Sequence, residues 1–147
     1  MTVYRVFPYR PGARAEEPGG SLHIPPQGRG RIDNPGLYGV LYAADAPAGA
    51  ISEVFNVGDY RQRWSAAMLR PRNGAMLSLG TYDLESSQAL CDLDDGMRLA
   101  ALDLRPSHVV TRDYSITRAW AAQVFQLRRF AGVRWWSYHD ARWGSIG

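Results

Sequence analysis

The spacing of hydrophobic and polar residues along the chain predicts four β-strands. Apolar and polar positions alternate over residues 3–7 and again over residues 76–84, as expected for strands with one buried face. Residues 39–44 form an unbroken apolar run, and residues 133–138 are rich in aromatic side chains; both patterns are typical of strands. Pro8 is expected to end the first strand, because proline cannot donate to a strand ladder.

A helix is predicted directly after the apolar run. Asp45 is expected to be its N-cap, and Pro47 lies in its first turn, where a proline costs no backbone hydrogen bond. The side of this helix that faces the core is expected to contain Ile51, Val54 and Phe55.

The longest predicted helix covers residues 115–130. Its apolar face is expected to consist of Ala119, Ala122, Val124, Phe125 and Leu127. Residues 86–104 predict one or two shorter helices, interrupted by an Asp-Asp-Gly turn. Residues 59–64 predict a continuation of the first helix or a polar turn, and residues 70–74 predict a turn.

The alternation of strands and helices over 147 residues favours a single mixed α+β domain. Hydrophobic residues make up 46% of the chain and charged residues 21%, which is the composition of a globular protein. Residues 8–38 hold six of the nine prolines and show no periodicity. A loop of that length within a small domain is usually functional or mobile.

The charge and cysteine content narrow the range of functions. All 17 basic residues are arginine, and the net charge of +3 is modest; this favours an anionic ligand over the coating of a nucleic acid. Cys91 is the only cysteine, so no disulfide framework is expected. No signal-peptide pattern and no apolar run of membrane-spanning length is present, and we expect a cytoplasmic protein without membrane contact.

Several kinds of site find no support in the sequence. His23, His108 and His139 are far apart, so no metal site is expected. There is no Gly-x-Ser-x-Gly elbow for acyl transfer. The pair Gly28 and Gly30 is followed by Asp33 and precedes a strand, which does not fit a dinucleotide or phosphate loop.

The remaining polar candidates each have two interpretations. The spacing of the first helix places Glu53 away from its predicted core face, where most glutamates are simply solvated. Arg31 lies in a glycine-rich loop and Tyr42 in an apolar strand, where a surface arginine and a core tyrosine are the commoner outcomes. The residues alone therefore leave open an arginine-lined site for an anion and do not identify a reaction.

Five short blocks follow one another in an order that is more specific than any one of them. They are Tyr4-Arg5; residues 30–36, Gly-Arg-Ile-Asp-Asn-Pro-Gly; residues 41–54, with Leu-Tyr-Ala-Ala before Ala-Ile-Ser-Glu-Val; residues 112–121, with Arg-Asp-Tyr-Ser before Ala-Trp-Ala; and residues 132–137, Gly-Val-Arg-Trp-Trp-Ser. In this order they resemble the RES-domain family, the toxins of RES/Xre toxin–antitoxin pairs. The resemblance covers residues 1–147 as one domain, and since related domains usually continue into another strand, it leaves open that a C-terminal strand is missing.

The resemblance implies a fold related to ADP-ribosyltransferases and cleavage of NAD at its nicotinamide–ribose bond. The positions that match the family imply catalytic roles for Glu53 and Arg31, and NAD-binding roles for Arg5, Tyr42, Tyr114, Ser115 and Ser137. In this interpretation Glu53 stabilises the oxocarbenium-like ribose, and arginines clamp the pyrophosphate. Tyr42 stacks on nicotinamide. No metal is implied, and no cofactor beyond NAD as the substrate.

The implied protein is a toxin that depletes cellular NAD as a glycohydrolase or phosphorylase. Its expected partner is a cognate Xre-type helix-turn-helix antitoxin, with DNA contacted only through that antitoxin. Two alternatives remain: a mono-ADP-ribosyltransferase that modifies a protein with the same site, and a small arginine-rich nucleic-acid-binding module whose tryptophans stack on bases.

Overall fold

The computed structural model describes residues 1–55, 75–85 and 89–147. Within them the chain forms six strands and four helices, and the mixed α+β class is confirmed. In chain order they are β1 (Thr2–Tyr9), β2 (Ala43–Ala44), α1 (Pro47–Phe55), β3 (Met76–Asp83), β4 (Leu90–Asp92), α2 (Gly96–Ala101), α3 (Pro106–Val109), α4 (Tyr114–Gln126), β5 (Gly132–Trp136) and β6 (Gly144–Ile146). The predictions for residues 59–64 and 70–74 lie outside the described residues.

The six strands form one sheet in the order β3-β1-β2-β6-β5-β4. Only β4 and β5 pair in parallel, and the other neighbours are antiparallel. β1 and β3 pair along their whole lengths, from Thr2 opposite Asp83 to Tyr9 opposite Met76. The centre of the sheet is much shorter, because β2 contributes two residues and β6 three. Helix α1 begins just after β2, and the segment that links β5 to β6 ends at β6, so both lie next to this short centre.

The first strand is longer than predicted. β1 does not end at Pro8, which pairs with Leu77 in register. Among the described residues β1 pairs with β2 only at Tyr4, so the edge of the strand beside Pro8 is not used by that ladder. A proline is tolerated at such an edge.

The second predicted strand is shorter than predicted. Of residues 39–44 only Ala43 and Ala44 pair as a strand. Val40 is buried in the core, but its backbone N–H donates to the side chain of Gln27 at 3.0 Å. The side-chain amide of Gln27 thus binds a backbone group that a neighbouring strand would bind in a sheet. The apolar run correctly predicted that Val40 is buried, but it wrongly predicted strand pairing over residues 39–42.

The prediction of one or two short helices over residues 86–104 is wrong for residues 90–92, and its first three positions, 86–88, lie outside the described residues. Residues 90–92 form β4, which runs parallel to β5 with Cys91 fully buried opposite Val133. The second half is helical, and Asp95 caps α2 by accepting from the backbone N–H of Met97 at 2.9 Å. Three strand residues are too few to show a period that separates them from a helix.

Helix α4 confirms the longest predicted helix but buries a different face. Thr117, Trp120, Ala121 and Val124 are buried, so of the expected apolar set only Val124 is buried. Ala119 is exposed and Leu127 follows the helix. Thr117 is buried because its hydroxyl donates to the backbone carbonyl of Arg31, a contact that periodicity does not reveal.

The hydrophobic core lies between α4, the short helices and the β4–β5 end of the sheet. Its buried members are Ile32, Val40, Cys91, Leu93, Leu99, Leu102, Val109, Trp120, Ala121, Val124, Val133 and Trp135. In the part of the chain that the structure describes, no helix is long and apolar enough to cross a membrane.

Leu93 tests this core, because its side chain has no exposed surface. We expect Leu93→Ala to lower the free energy of unfolding by about 2–5 kcal/mol, through lost burial and the cavity left behind. Urea denaturation measures the change. The matched control is Leu37→Ala at a half-exposed leucine, for which a change within about 0.5 kcal/mol is expected. Equal losses for the two variants would contradict the assigned core.

Candidate active site

A cavity of about 890 Å³ opens beside the short centre of the sheet. Its walls come from β1, the loop before β2, α1, the start of α4, and from β5, β6 and the segment between them. Its lining combines three arginines, five aromatic rings, one carboxylate and one histidine; the residues are Tyr4, Arg5, Val6, Pro25, Gly30, Arg31, Val40, Tyr42, Ala43, Ala50, Glu53, Val54, Arg112, Tyr114, Trp135, Tyr138, His139 and Ser145.

Helix α1 presents Glu53 to this cavity because its packing face differs from the predicted one. The buried residues are the small ones, Gly49, Ala50 and Ser52, whereas Val54 is 45% exposed. Ile51, Val54 and Phe55 therefore do not form the buried face. Because the side chains on this buried face are small, α1 can lie close to the sheet. Glu53 lies in the cavity wall.

Asp45 is not the N-cap of α1, contrary to prediction. Its carboxylate accepts from the backbone N–H of Gly144 at 2.7 Å and pairs with Arg134 at 3.1 Å. Arg134 also pairs with Asp92 at 3.1 Å. These contacts tie the start of α1 to β6 and β5, so Asp45 holds the helix against the sheet instead of closing its first turn.

The carboxylate of Glu53 is held by two buried serines. One oxygen, Oε1, accepts from the hydroxyls of Ser137 and Ser145, each at 3.1 Å. Both serines are at most 4% exposed. Ser137 follows β5 and Ser145 lies in β6, so three elements meet at one oxygen.

Two residues at this carboxylate were not among the sequence-predicted site residues. Ser145 is separated from Glu53 by 92 positions, and no spacing rule connects them. His139, treated above only as a metal candidate, has Nε2 at 3.9 Å from Glu53 Oε2. Among the described residues no group of three His, Cys, Asp or Glu side chains is arranged to hold a metal ion.

Arg31 reaches the cavity from a loop that is fixed by Asp33. The Asp33 carboxylate accepts from the backbone N–H groups of residues 28, 29 and 30 at 2.7–3.0 Å. Its second oxygen accepts from the Tyr42 hydroxyl at 2.6 Å. The guanidinium of Arg31 then donates to the carbonyl of Thr111 and lies 5.4 Å from the centre of the Tyr114 ring. A Cβ at Gly30 would overlap the Tyr42 hydroxyl, so this turn requires glycine.

Tyr42 therefore has a structural contact as well as a place in the cavity wall. Burial and the hydrogen bond to Asp33 raise the pKa of Tyr42 far above its ordinary value, so its hydroxyl remains a donor at neutral pH. Burial alone would raise the pKa of Asp33, but the hydrogen bonds from Tyr42 and three backbone N–H groups outweigh it, and the pKa lies below its ordinary 3.8.

Arg5 lines the cavity but also anchors the long loop. Its guanidinium donates to the carbonyls of Ser21 at 2.9 Å and His23 at 2.8 Å. Tyr82 of β3 donates to the same Ser21 carbonyl at 2.8 Å. At least two of the five guanidinium N–H groups are thus used inside the protein. Arg112 supplies a third cavity arginine that sequence reasoning did not select.

The structure separates Tyr114 from Ser115. Tyr114 lines the cavity, and both Arg31 and Arg118 lie over its ring. The hydroxyl of Ser115 instead donates to its neighbour Asp113 at 2.6 Å, at the exposed start of α4. Of the two predicted serines, Ser137 contacts Glu53 and Ser115 contacts Asp113, and neither is among the residues that line the cavity.

A family model of the RES domain matches residues 2–145. The chain belongs to the RES-domain family. Comparison with curated proteins and with solved structures gives no match. Membership of this family confirms the resemblance drawn from the five sequence blocks, and it is consistent with a toxin-like enzyme whose chemistry involves NAD.

Asp33 offers a test of how this RES domain fixes its arginine loop. We expect Asp33→Asn to lower the free energy of unfolding at neutral pH by about 2–4 kcal/mol, because charge-assisted hydrogen bonds are lost. The pKa of Asp33 in the folded protein is lowered from its ordinary 3.8. The ionised carboxylate therefore stabilises the fold fully at pH values above 3.8, and this stabilisation is lost as the pH falls through the pKa of the folded state.

Urea denaturation of wild type and variant, from neutral pH to below 3.8, measures this. The difference between the two proteins should shrink as the pH falls. Asp103→Asn is the matched control, since the side chain is exposed and asparagine tolerates its positive φ of 53°. A difference that does not change with pH would contradict the role assigned to Asp33.

Proposed function

We propose that this RES domain cleaves NAD at the bond between nicotinamide and ribose, as the toxin of a toxin–antitoxin pair that depletes cytoplasmic NAD. The observation that carries the proposal is the carboxylate of Glu53, held by two buried serine hydroxyls at the wall of an arginine-lined cavity. The volume of about 890 Å³ lies within the range of cofactor sites.

The chemistry of the bond explains why a carboxylate is the central group. When the C1′–N bond breaks, its electron pair stays on the nicotinamide nitrogen, which leaves as a neutral base. The ribose becomes oxocarbenium-like, as in glycoside hydrolysis. A fixed negative charge beside C1′ stabilises that developing cation. The serines support this role for Glu53, since neutral hydroxyls orient the carboxylate without cancelling its charge.

The arginines and aromatic rings suit the rest of the substrate. Arg31 and Arg112 can provide donors for the pyrophosphate, and Arg5 can add those not engaged by the loop. The ring of Tyr42 lines the cavity while its hydroxyl is bound to Asp33, so stacking on nicotinamide would use the ring face. Tyr114 and Tyr138 provide further flat surfaces.

The acceptor of the ADP-ribosyl group defines the alternatives. With water as the acceptor the product is ADP-ribose, and with phosphate it is ADP-ribose phosphorylated at the same carbon, C1′. A protein acceptor makes the domain a mono-ADP-ribosyltransferase. The nucleic-acid-binding alternative has less support, because several arginines are used internally: Arg5 and Arg118 bind loop carbonyls, and Arg134 pairs with carboxylates. An Xre-type antitoxin that covers the cavity would protect the host cell.

The first test is nicotinamide release from NAD by wild type and Glu53→Gln. We expect the variant, which keeps the shape and loses the charge, to be about 10²–10³-fold slower. Chromatography of nicotinamide and of the ribosyl product, with and without phosphate, measures the rate and identifies the acceptor. Glu16→Gln at an exposed loop position outside the cavity is the control. Full activity of Glu53→Gln, or an inactive folded wild type, would contradict the proposal.

The second test compares the serines. We expect Ser137→Ala and Ser145→Ala each to slow nicotinamide release about 10–100-fold, the range that corresponds to one lost hydrogen bond to a charged group. Ser115→Ala should have a far smaller effect, because its hydroxyl is bound to Asp113. A larger loss in Ser115→Ala than in Ser137→Ala would overturn the assignment of Ser137 to the site.

A further inference from the structure

The two oxygens of the Glu53 carboxylate have different surroundings. Oε1 accepts from the hydroxyls of both Ser137 and Ser145. Oε2 lies 3.9 Å from Nε2 of His139, which is beyond direct hydrogen-bond distance. One oxygen is therefore fixed by the protein, and the other faces an imidazole across a gap.

The position of His139 is set by the chain that follows β5. Its backbone N–H donates to Oγ of Ser137 at 3.1 Å, and that hydroxyl in turn donates to Glu53. The imidazole is 9% exposed and meets the Tyr138 ring edge to face at 5.9 Å. Its Nδ1 is buried without a hydrogen-bond partner among the described residues. The nitrogen that faces the carboxylate in the cavity wall is Nε2.

We propose that His139 is a catalytic base that takes a proton from the water attacking the ribose; this rests on the proposed cleavage of NAD. Two atoms 3.9 Å apart can both lie about 2.8 Å from one shared oxygen. A water there donates one O–H to Oε2 of Glu53 and the other to Nε2 of His139. Its lone pairs are then left to attack C1′.

Each bond of the step is accounted for. The C1′–N bond breaks with its electrons on nicotinamide, and a lone pair of the water oxygen forms the C1′–O bond. The O–H bond directed at His139 breaks, and its proton moves to Nε2 and then to solvent. The products are nicotinamide, ADP-ribose and one proton. Glu53 stabilises the cation without having to act as the base.

The charged groups around the imidazole come from several elements. Glu53 of α1 is nearest, at 3.9 Å. Arg112 lies 5.2 Å from the centre of the Tyr138 ring, and Arg31 lines the same cavity. Asp140, next in the chain, is paired with Arg142. Glu53 is therefore the charged side chain placed directly against the imidazole, and the cavity arginines line the same space.

The test separates acceptors that must lose a proton from those that need not. In His139→Gln we expect nicotinamide release with water to fall about 10²-fold or more. Azide, an anion that attacks C1′ without losing a proton, should restore release and give ADP-ribosyl azide. Binding of ADP-ribose, measured by calorimetry, should remain unchanged, which a merely structural role for His139 would not predict. His108→Gln, outside the cavity lining, is the matched control.

The outcomes distinguish this inference from the proposed function. If wild type is active and His139→Gln is equally active, or if azide does not restore the lost activity, the base assignment is overturned and NAD cleavage stands. Absence of release from wild type overturns both. If the variant does not fold, wild type is followed against pH: the water reaction should fall as the imidazole is protonated while the azide reaction persists, and a parallel decline would overturn the assignment.

Discussion

The loop that carries Arg31 depends on the hydrogen bonds accepted by the carboxylate of Asp33. The carboxylate accepts from three consecutive backbone N–H groups and from the Tyr42 hydroxyl, so it closes the loop and ties it to the chain entering β2. The carbonyls of the same loop are bound by Thr117 and Arg118 of α4. One buried charge, outside the cavity lining, therefore positions Arg31 against both the sheet and the long helix.

The short centre of the sheet explains how Glu53 is brought to its serines. β2 and β6 are neighbours, so the helix that leaves β2 starts beside the strand that carries Ser145. β5 is the next neighbour of β6, and it ends just before Ser137. The two carboxylates of this region have different partners. Asp45 forms an ion pair with Arg134, whereas Glu53 accepts hydrogen bonds from two neutral serine hydroxyls. A hydroxyl donor stabilises a carboxylate without an opposing full charge, which leaves Glu53 able to act on a cation.

Local patterns predicted the elements better than the contacts between them. The alternation in β3 and the existence of α4 could be derived from periodicity, because each depends on neighbours a few positions apart. The buried face of α4 could not, since Thr117 is buried through a contact with Arg31, 86 positions away. Glu53 and Ser137 were predicted as site residues from family resemblance alone, and the structure shows that their side chains are in contact. Ser145, 92 positions from Glu53, had no local signal, because its contact with Glu53 exists only once β6 pairs between β2 and β5.

The charges of the cavity act on different parts of the substrate in the proposed reaction. The arginines attract the pyrophosphate before and after cleavage. Glu53 instead interacts with a positive charge that passes from the nicotinamide ring to the ribose as the C1′–N bond breaks, and that is lost as a proton once water has attacked. Cleavage therefore removes an attraction at the carboxylate and leaves the one at the arginines unchanged. Interaction energy that is strongest while the ribose is cationic favours the transition state over both substrate and product. A carboxylate held at one oxygen by serines and open at the other meets that requirement, because its charge stays fixed while the bond breaks.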